Sequence, residues 1–426
     1  MSDWIGAAEA ARRLGIKQAS LYSYVSRGVL TRHRAPGGRA SLFSAAEVEG
    51  LARRGRPRRA PGAGEIVIET GLTEISGDRL RYRGLDAIEL AARRAPEEVA
   101  GLLWTGSLGG AGPAGTPWRA TGEAIAAGAA AQAALPGGTL PLERLQVIVP
   151  ALAAADPLRL HLDRPAVVAA GRSLIAGMVD CLPPPPAEGN RPPGTRPPGR
   201  MPPAAAPGAG TGPIAARLAA RLCPSGAEPA VVDALRAALV LLADHELAAS
   251  TFAARVAASM RADPYAVVAT GLGAVGGSLH GGASLGAEVL LRSAERPPDA
   301  ARAVGELLRR GERLPGFGHF VYRTLDPRAV MLLGLLRRVA PGSGRLAVAE
   351  AVIGEARRRA LPEPNIDFAL AALACVAGMI PGAGEAIFAV ARAVGWIAHA
   401  LEEYARGTPI RPRAIYTGPV APAGAP

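Results

Sequence analysis

The 426-residue chain is poor in several residue types, and each shortage limits what the protein can be. Aromatic residues make up 4% of it, and its three cysteines are scattered. Without CxxC spacing, the cysteines provide neither a zinc ligand set nor a disulfide framework, and they are typical of a reducing compartment. No signal peptide is apparent, because charged residues interrupt the first helical pattern. We therefore expect a cytoplasmic protein without a metal ion.

Lysine occurs once, at Lys17, so nearly all of the 48 basic residues are arginine. The formal net charge is +12, and residues 1–60 carry +8 of it, with 12 basic residues against 4 acidic ones. This concentration of positive charge favours a polyanionic partner for the N-terminus. The apolar remainder is rich in alanine and leucine, which favours helix.

Residues 1–54 have a pattern of helix, turn, helix, hairpin and helix, which predicts a winged helix-turn-helix. The predicted elements are helix Ala7 to Leu14, helix Gln18 to Arg27, strands Leu30 to Arg34 and Ala40 to Phe43, and a third helix with a capping box of Ser44 and Glu47. The pattern resembles that of excisionases and mercury-type regulators. This resemblance implies DNA binding through residues 1–60, with contacts from Lys17, Gln18, Ser20, Tyr22 and Arg27. Residues 55–65 are a basic linker.

Residues 66–426 consist mainly of alanine- and leucine-rich helical patterns, after a strand-like Ile66-Val67-Ile68. The Pro-rich segment 183–213 cannot form a packed core and is predicted to be a disordered surface loop. The stretch Ala266 to Leu291 is long and mostly apolar. Its glycines, with His280 and Glu288, favour an active-site segment over a membrane span.

Three of the six histidines lie among loop signals: His245, His280 and His319. Glycine beside His280 and His319 lets the backbone approach a ligand and frees amide N–H groups for anions. Asn365 is a suitable N-cap, so Asp367 falls in a first helical turn, where the helix dipole would keep its carboxylate ionised. Such a carboxylate suits a general base, although it can also serve only to complement the dipole.

Arginines recur in the same part of the chain. Arg323 and Arg328 follow His319, Arg392 lies on an otherwise apolar helix, and Arg411 lies near the C-terminus. An arginine on an apolar helix face needs a carboxylate or phosphate partner. A protein carboxylate or a dicarboxylate substrate could provide it.

Together these segments resemble the successive motifs of citrate synthases. The matching segments are TGLTEISGDRLRYRGLDAIELA (70–91), ADHELAAST (243–251), GGSLHGGA (276–283), LPGFGHFVYRTLDPRA (314–329), PEPNIDFALAAL (362–373), ARAVGWIAHALEE (391–403) and IRPRAIY (410–416). The resemblance covers about residues 66–426. It implies an all-α fold with a large helical domain and a small one at about 281–388, after the N-terminal winged domain.

The resemblance also implies an acyltransferase that condenses acetyl-CoA with oxaloacetate and water to give citrate and CoA. Asp367 would remove the methyl proton, His280 would stabilise the enol, and His319 would polarise the ketone. The remaining roles would be oxaloacetate binding by His245, Arg323, Arg392 and Arg411, and CoA binding by Leu314, Pro315, Gly316, Phe317 and Gly318. The family works as a homodimer or larger assembly with Arg411 shared across the interface, and it needs no permanently bound cofactor or metal.

Two departures and two alternatives accompany this interpretation. Ala248 stands where many relatives have asparagine, and Phe320 where a basic or small residue is frequent. A 2-methylcitrate synthase using propionyl-CoA would differ by one methylene, which a pocket discriminates by only ~1–3 kcal/mol. A DNA-binding regulator could instead use the fold as a metabolite sensor. A general base at Asp367 argues against a sensor, because sensing requires only binding.

Overall fold

A computed structural model describes residues 4–14, 18, 21, 24–25, 30–34, 41–53, 67–109, 116–185, 210–277, 282–322, 324–414 and 418. The chain divides into two compact units, Met1–Glu69 and Thr70–Pro426. The linker 55–65 and most of the Pro-rich segment lie outside the described residues.

The N-terminal unit combines a three-stranded sheet with helices. Its described elements are β1 (Trp4–Gly6), α1 (Ala7–Leu14), β2 (Arg32–Arg34), β3 (Ser41–Ser44) and α2 (Ala45–Arg53). β3 is the central strand and pairs antiparallel with both β1 and β2. The buried apolar side chains are Ala10, Ala11, Leu14, Leu21, Leu30, Phe43 and Val48. A core of this size gives a small unit only modest stability.

The structure describes the predicted second helix of this unit only in part. Gln18, Leu21, Tyr24 and Val25 are helical, and Leu21 is fully buried. The other predicted DNA contacts lie outside the described residues: Lys17, Ser20, Tyr22 and Arg27.

Two details of the N-terminal unit differ from the sequence expectation. β1 was not predicted, because three residues are too few to show a period and their partner strand lies almost 40 residues away, with Trp4 opposite Ser44. The capping box of α2 is only half formed. The Ser44 hydroxyl accepts from the Glu47 N–H at 3.4 Å, but the Glu47 carboxylate accepts from the N–H and hydroxyl of Thr31 at 2.6 and 2.8 Å.

The C-terminal unit begins with a second antiparallel sheet and continues as a helical assembly. The sheet consists of β4 (Thr73–Ser76), β5 (Arg79–Tyr82) and β6 (Leu85–Asp86). The first helices are α3 (Ala87–Arg93), α4 (Pro96–Thr105), α5 (Gly122–Ala133), α6 (Pro141–Ala154), α7 (Arg164–Asp180), α8 (Ile214–Leu222) and α9 (Pro229–Leu241). The others are α10 (Ala249–Ser259), α11 (Pro264–Val275), α12 (Gly282–Ser293), α13 (Ala300–Arg309), α14 (Pro327–Val339), α15 (Gly344–Arg358), α16 (Ile366–Val376) and α17 (Ala383–Arg406). A short 3-10 helix, Pro297–Asp299, precedes α13.

The fold is mostly helical, but the all-α expectation for residues 66–426 is wrong in that the C-terminal unit contains a small three-stranded sheet. The strand suggested by Ile66-Val67-Ile68 is also wrong, because Val67 and Ile68 lie in irregular backbone and Val67 is 73% exposed. The strands come later, where β4 and β5 alternate buried and exposed positions around a turn. Gly77 and Asp78 make this turn with φ of 56° and 61°, the left-handed geometry of a tight hairpin.

The 24-residue helix α17 is the central element of the C-terminal unit. It packs against α4, α7, α9, α10, α11 and α16. It is long and apolar enough to cross a membrane, but its apolar window is entirely buried within the protein, as in a core helix. Gly407 ends α17 in the left-handed conformation at φ 68°.

Candidate active site

The loop 314–318 is joined to the segment that precedes α16. The Gly318 N–H donates to the Glu363 carbonyl at 2.9 Å, and the Asn365 N–H donates to the Gly316 carbonyl at 2.8 Å. The Asn365 side chain also donates to the Gly318 carbonyl at 2.8 Å. These bonds bring the predicted CoA-binding loop beside the start of the helix that carries Asp367.

Only glycine fits at position 316 of this loop. Its φ is +78°, and an added Cβ would lie 2.8 Å from Phe368 Cβ and 2.9 Å from the Phe368 backbone nitrogen. The neighbouring Phe317 ring packs edge-on against Phe368, with centroids 4.8 Å apart. Asn365 caps α16, as its sequence predicts, by accepting from the Asp367 N–H at 3.0 Å.

A buried ion pair between Asp326 and Arg328 lies after this loop. Arg328 donates to both carboxylate oxygens, at 2.9 and 2.8 Å, and Asp326 also accepts from the Ile366 N–H at 3.0 Å. Burial disfavours the Arg328 cation, but the Asp326 carboxylate outweighs burial and raises the pKa of Arg328. The pair therefore fixes a permanent positive charge next to α16.

His319 is held as a neutral hydrogen-bond donor. Its Nδ1 accepts from the N–H groups of Val321 at 2.9 Å and Tyr322 at 3.4 Å, so the ring proton belongs on Nε2. Burial, reinforced by the Arg328 cation, lowers the pKa of His319 to about 4. Nε2 lies 3.3 Å from Arg328 Nη2. Because both atoms then carry protons, this contact is not a hydrogen bond, and the His319 Nε2–H can serve a ligand acceptor.

His245 lies in the same cluster, four residues after α9. Its Nε2 is 3.0 Å from the Tyr322 hydroxyl, and its ring centroid is 5.3 Å from that of His319. Burial lowers the pKa of His245 well below 6.5, and the Arg328 and Arg392 cations act in the same direction. His245 is therefore neutral as well.

The Asp367 carboxylate is a stronger base than that of an ordinary exposed aspartate. Burial raises its pKa to about 6, although the Arg328 and Arg392 cations oppose this shift. The helix dipole was expected to keep this carboxylate ionised, and the sequence did not indicate that lost hydration would raise its pKa. At neutral pH the carboxylate is still mostly ionised, and it binds a proton more tightly than an ordinary aspartate does.

Arg392 extends from α17 and is 1% exposed. Its Nε donates to the Leu242 carbonyl at 2.8 Å, and its guanidinium lies 4.7 Å from the centre of the Phe388 ring. Nη1 is buried and has no hydrogen-bond partner among the described residues. A buried cation with an unused donor is suited to bind an anionic group of a ligand.

Behind His245 lies a buried polar network centred on Asp244. Asp244 Oδ2 accepts from the Thr73 hydroxyl at 2.5 Å and lies 3.2 Å from His399 Nε2. On the far side of His399, Nδ1 lies 2.7 Å from an Arg255 nitrogen. The Tyr82 hydroxyl is 3.2 Å from the Asp244 carbonyl oxygen. These contacts connect the first sheet of the C-terminal unit and α17 to the backbone that carries His245.

The structure thus assembles His245, His319, Asp367 and Arg392 around Arg328. The predicted residues His280 and Arg323 lie outside the described residues. Arg411 is exposed in the tail after α17, where the neighbouring Ile410 N–H donates to the Ser259 hydroxyl at 3.1 Å.

Tyr322, Asp326, Asp244 and His399 had no assigned part in the sequence analysis. The sequence Asp326-Pro-Arg328 at the start of a helix could have predicted the ion pair. An aspartate at the N-cap can also reach an arginine two residues further along the chain. Nothing local distinguishes Asp244 or His399, since they meet across 155 residues. Among the described residues, no group of three or more His, Cys, Asp or Glu could hold a metal ion.

The chain was compared with families, curated proteins and solved structures. The family model of the citrate synthase C-terminal domain matches residues 62–413. Citrate synthase of Haloferax volcanii is 35% identical over 395 residues, which cover 83% of this chain and 94% of that protein. The 2-methylcitrate synthase of Mycobacterium tuberculosis is 31% identical and covers 84% of this chain and 89% of its own.

Solved structures give the same result. Citrate synthase of Thermoplasma acidophilum, solved in a ternary complex with carboxymethyl coenzyme A and oxaloacetate, has a TM-score of 0.65 at 25% identity and covers 85% of this chain and 97% of its own. That of Thermotoga maritima has a TM-score of 0.64 at 24% identity, over 85% and 96%, and supports the fold. A mostly helical fold with these site residues defines an acyltransferase of the condensing type. The chain belongs to the citrate synthase family.

Proposed function

We propose that the protein condenses acetyl-CoA with oxaloacetate and water, giving citrate and CoA. One observation carries this proposal: a carboxylate base with a pKa of about 6, Asp367, shares a cluster with the neutral donor His319 and the buried cations Arg328 and Arg392. Proton removal, ketone polarisation and dianion binding need these three kinds of group.

The methyl group of a thioester is a very weak acid, so Asp367 cannot form a free enolate alone. Donation of a hydrogen bond to the thioester oxygen, in concert with proton removal, stabilises the enol form instead. His280 is proposed as this donor. The enol carbon then attacks the oxaloacetate ketone, whose oxygen accepts from His319 Nε2–H and takes its proton. Water hydrolyses the resulting thioester and releases CoA.

Oxaloacetate carries two carboxylates, and the cluster contains groups suited to them. In the part of the chain that the structure describes, Arg392 Nη1 is a buried donor without a partner, and Arg328 adds a second fixed charge. His245, Arg323 and Arg411 are proposed to complete the binding set. CoA is proposed to lie along Leu314, Pro315, Gly316, Phe317 and Gly318. The Thermoplasma acidophilum relative was solved with carboxymethyl coenzyme A and oxaloacetate, which supports both substrates.

The experiment is a coupled assay of CoA release by the full chain, with oxaloacetate and either acetyl-CoA or propionyl-CoA. Citrate identified by mass, with a higher kcat/KM for acetyl-CoA, is the expected result. A preference for propionyl-CoA, with 2-methylcitrate as product, would instead support the alternative that the Mycobacterium tuberculosis relative represents. Tight binding of both substrates without turnover would favour a metabolite sensor.

We also propose a homodimer in which Arg411 serves the active site of the partner subunit. Residues 411–414, in the described part of the tail after Gly407, are exposed in the single chain, and an isologous interface would cover them. Arg411→Ala and Asp367→Asn variants should each be nearly inactive. When the two are unfolded and refolded together, random mixing should restore about a quarter of all sites, because one site of each mixed dimer carries neither defect. No restored activity, despite mixed dimers seen by native mass spectrometry, would contradict a shared Arg411.

The N-terminal unit is proposed to bind DNA. Two observations support this: Gln18 is exposed on the second helix, and β2 carries the exposed Arg32 next to the central strand β3. Mobility shifts by the full chain should weaken steeply as salt rises, because phosphate contacts release counterions. A double change, Gln18→Ala with Arg32→Ala, should abolish the shift, whereas Arg12→Ala, at an arginine paired with Glu9 on α1, should reduce it little. Absence of any shift at low salt would exclude DNA binding.

A further inference from the structure

Tyr322 touches both histidines of the candidate site. Its hydroxyl lies 3.0 Å from His245 Nε2, and its backbone N–H points to His319 Nδ1 at 3.4 Å. Its ring centroid is 5.5 Å from that of His245 and 4.8 Å from that of His319. Tyr322 is itself buried, and the Arg328 guanidinium lies 5.5 Å from the centre of its ring. One residue therefore contacts both imidazoles and a fixed cation, and the two imidazoles also contact each other edge-on, with centroids 5.3 Å apart.

The tyrosine hydroxyl determines the state of His245. Burial raises the pKa of Tyr322 to about 12, so the hydroxyl keeps its proton at all physiological pH values. The hydroxyl can therefore donate to His245 Nε2. An imidazole nitrogen that accepts a hydrogen bond has no proton of its own, and the single ring proton of neutral His245 then lies on Nδ1.

We propose that Tyr322 is a positioning residue whose hydroxyl keeps His245 neutral, in the Nδ1–H form, and at a fixed angle to His319. This inference rests on the proposed function, because the hydrogen bond between Tyr322 and His245 is taken to serve oxaloacetate binding. A charged His245 would add a third cation beside Arg328 and Arg392 and would disturb the balance of charge around a bound dianion. A freely rotating His245 would lose the geometry that substrate binding requires.

Several groups besides Tyr322 act on His245 from the surrounding elements. Arg328 of α14, Arg392 of α17 and His319 of the loop before α14 act on His245 directly. Asp326 and Glu246 act on Tyr322, and Asp244 and Glu246 flank His245 in the sequence. None of these is changed when tyrosine is replaced by phenylalanine, so this substitution isolates the hydroxyl.

The test compares Tyr322→Phe with a matched control, Tyr265→Phe. Tyr265 is also buried, and its hydroxyl donates to Asp156 at 2.8 Å, between α6 and α7. Loss of the hydroxyl at position 322 should raise the KM for oxaloacetate about tenfold, roughly the contribution of one hydrogen bond, while kcat changes less than about threefold. The control should leave both values unchanged within about twofold, even if its melting temperature falls equally.

A second measurement needs no substrate. The histidine ring signals of the full chain would be titrated by NMR, and the His245 signal would be assigned by its loss in His245→Asn. In Tyr322→Phe the titration midpoint of His245 should move to higher pH, because the neutral form loses its donor. In Tyr265→Phe it should not move. An unchanged His245 titration, or equal kinetic effects of the two variants, would overturn the proposal. If neither acyl-CoA is a substrate, the titration still tests Tyr322, and only the proposed function fails.

Discussion

The candidate site has two sides that are built differently. The loop side comprises Gly316, His319, Asp326, Arg328 and Asp367. The helix side comprises His245, Asp244, Arg392 and His399. On the loop side, backbone hydrogen bonds join two segments about 50 residues apart, local N–H groups hold His319, and the Asp326–Arg328 pair connects to the start of α16. On the helix side, buried groups meet across about 150 residues, and Arg392 Nη1 and Asp244 Oδ1 find no partner within the described ranges.

This difference indicates a division of labour. A side with its groups fixed in advance suits proton transfer, which depends on accurate geometry. A side with unused buried donors suits binding, because a ligand supplies the missing partner. Changes on the loop side should therefore reduce kcat, and changes on the helix side should weaken oxaloacetate binding.

The largest expected effect is on the loop side. Asp367→Asn removes the base and should lower kcat at least ~10²-fold, the usual scale for losing a general base. Oxaloacetate affinity should stay close to that of the wild type. Asp163→Asn is the matched control, because Asp163 caps α7 and asparagine caps helices equally well. Steady-state CoA release measures both variants, and near-normal turnover in Asp367→Asn would exclude this residue as the base.

On the helix side, Arg392→Gln should raise the KM for oxaloacetate roughly 10- to 100-fold, since hydrogen bonds to charged groups contribute about 1.5–3 kcal/mol. The kcat at saturation should fall much less. Arg302→Gln, at an exposed arginine paired with Glu306, changes the same charge far from any buried group and should have no effect. A loss confined to kcat would contradict a binding role for Arg392.

The packing of the loop side can be tested by stability. Gly316→Ala forces a Cβ against Phe368, whereas Gly311→Ala has the same left-handed backbone, at φ 73°, but open space around the new methyl group. Both changes strain the backbone, so their difference isolates the crowding. We expect Gly316→Ala to lower the free energy of unfolding by about 2 kcal/mol more than Gly311→Ala, as measured by urea denaturation. Equal losses would mean that the two segments are not packed as described.

The smallest expected effect concerns pH. Because the pKa of Asp367 is raised to about 6, its protonated form favours the fold, and this contribution is lost as pH rises through about 6. Asp367→Asn cannot ionise, so it should melt at a higher temperature than the wild type at pH 8, with a smaller gain at pH 5. In the wild type, kcat should fall below about pH 6 as the base is protonated. A kcat that is constant from pH 5 to 8 would contradict the assignment.

The two sides also differ in how far the sequence predicts them. Glycine-flanked His319 and the Asn365 cap before Asp367 are local signals, so the main loop-side residues could be named in advance. The raised pKa of Asp367 could not be predicted from the sequence, because it depends on burial by distant parts of the chain. Arg392 was recognisable as one charge on an apolar helix. Its neighbours Asp244 and His399, and the contact of Tyr322 with His245, required the fold.

The fold shows the same contrast. Helices with strong caps and long apolar patterns were predicted, and so was the hairpin of β2 and β3, whereas β1 and the strands of the second sheet were missed or misplaced. β1 pairs with residues almost 40 positions away, and β4 follows a misleading apolar run at 66–68. Pairing between distant segments leaves little trace in a short stretch of sequence.

Calorimetric titration of oxaloacetate into Asp367→Asn and Arg392→Gln, side by side with the wild type, tests the division of labour most directly. We expect Asp367→Asn to bind oxaloacetate as the wild type does, and Arg392→Gln to bind it at least about tenfold more weakly. Normal binding by Arg392→Gln, together with weak binding by Asp367→Asn, would contradict the division of labour.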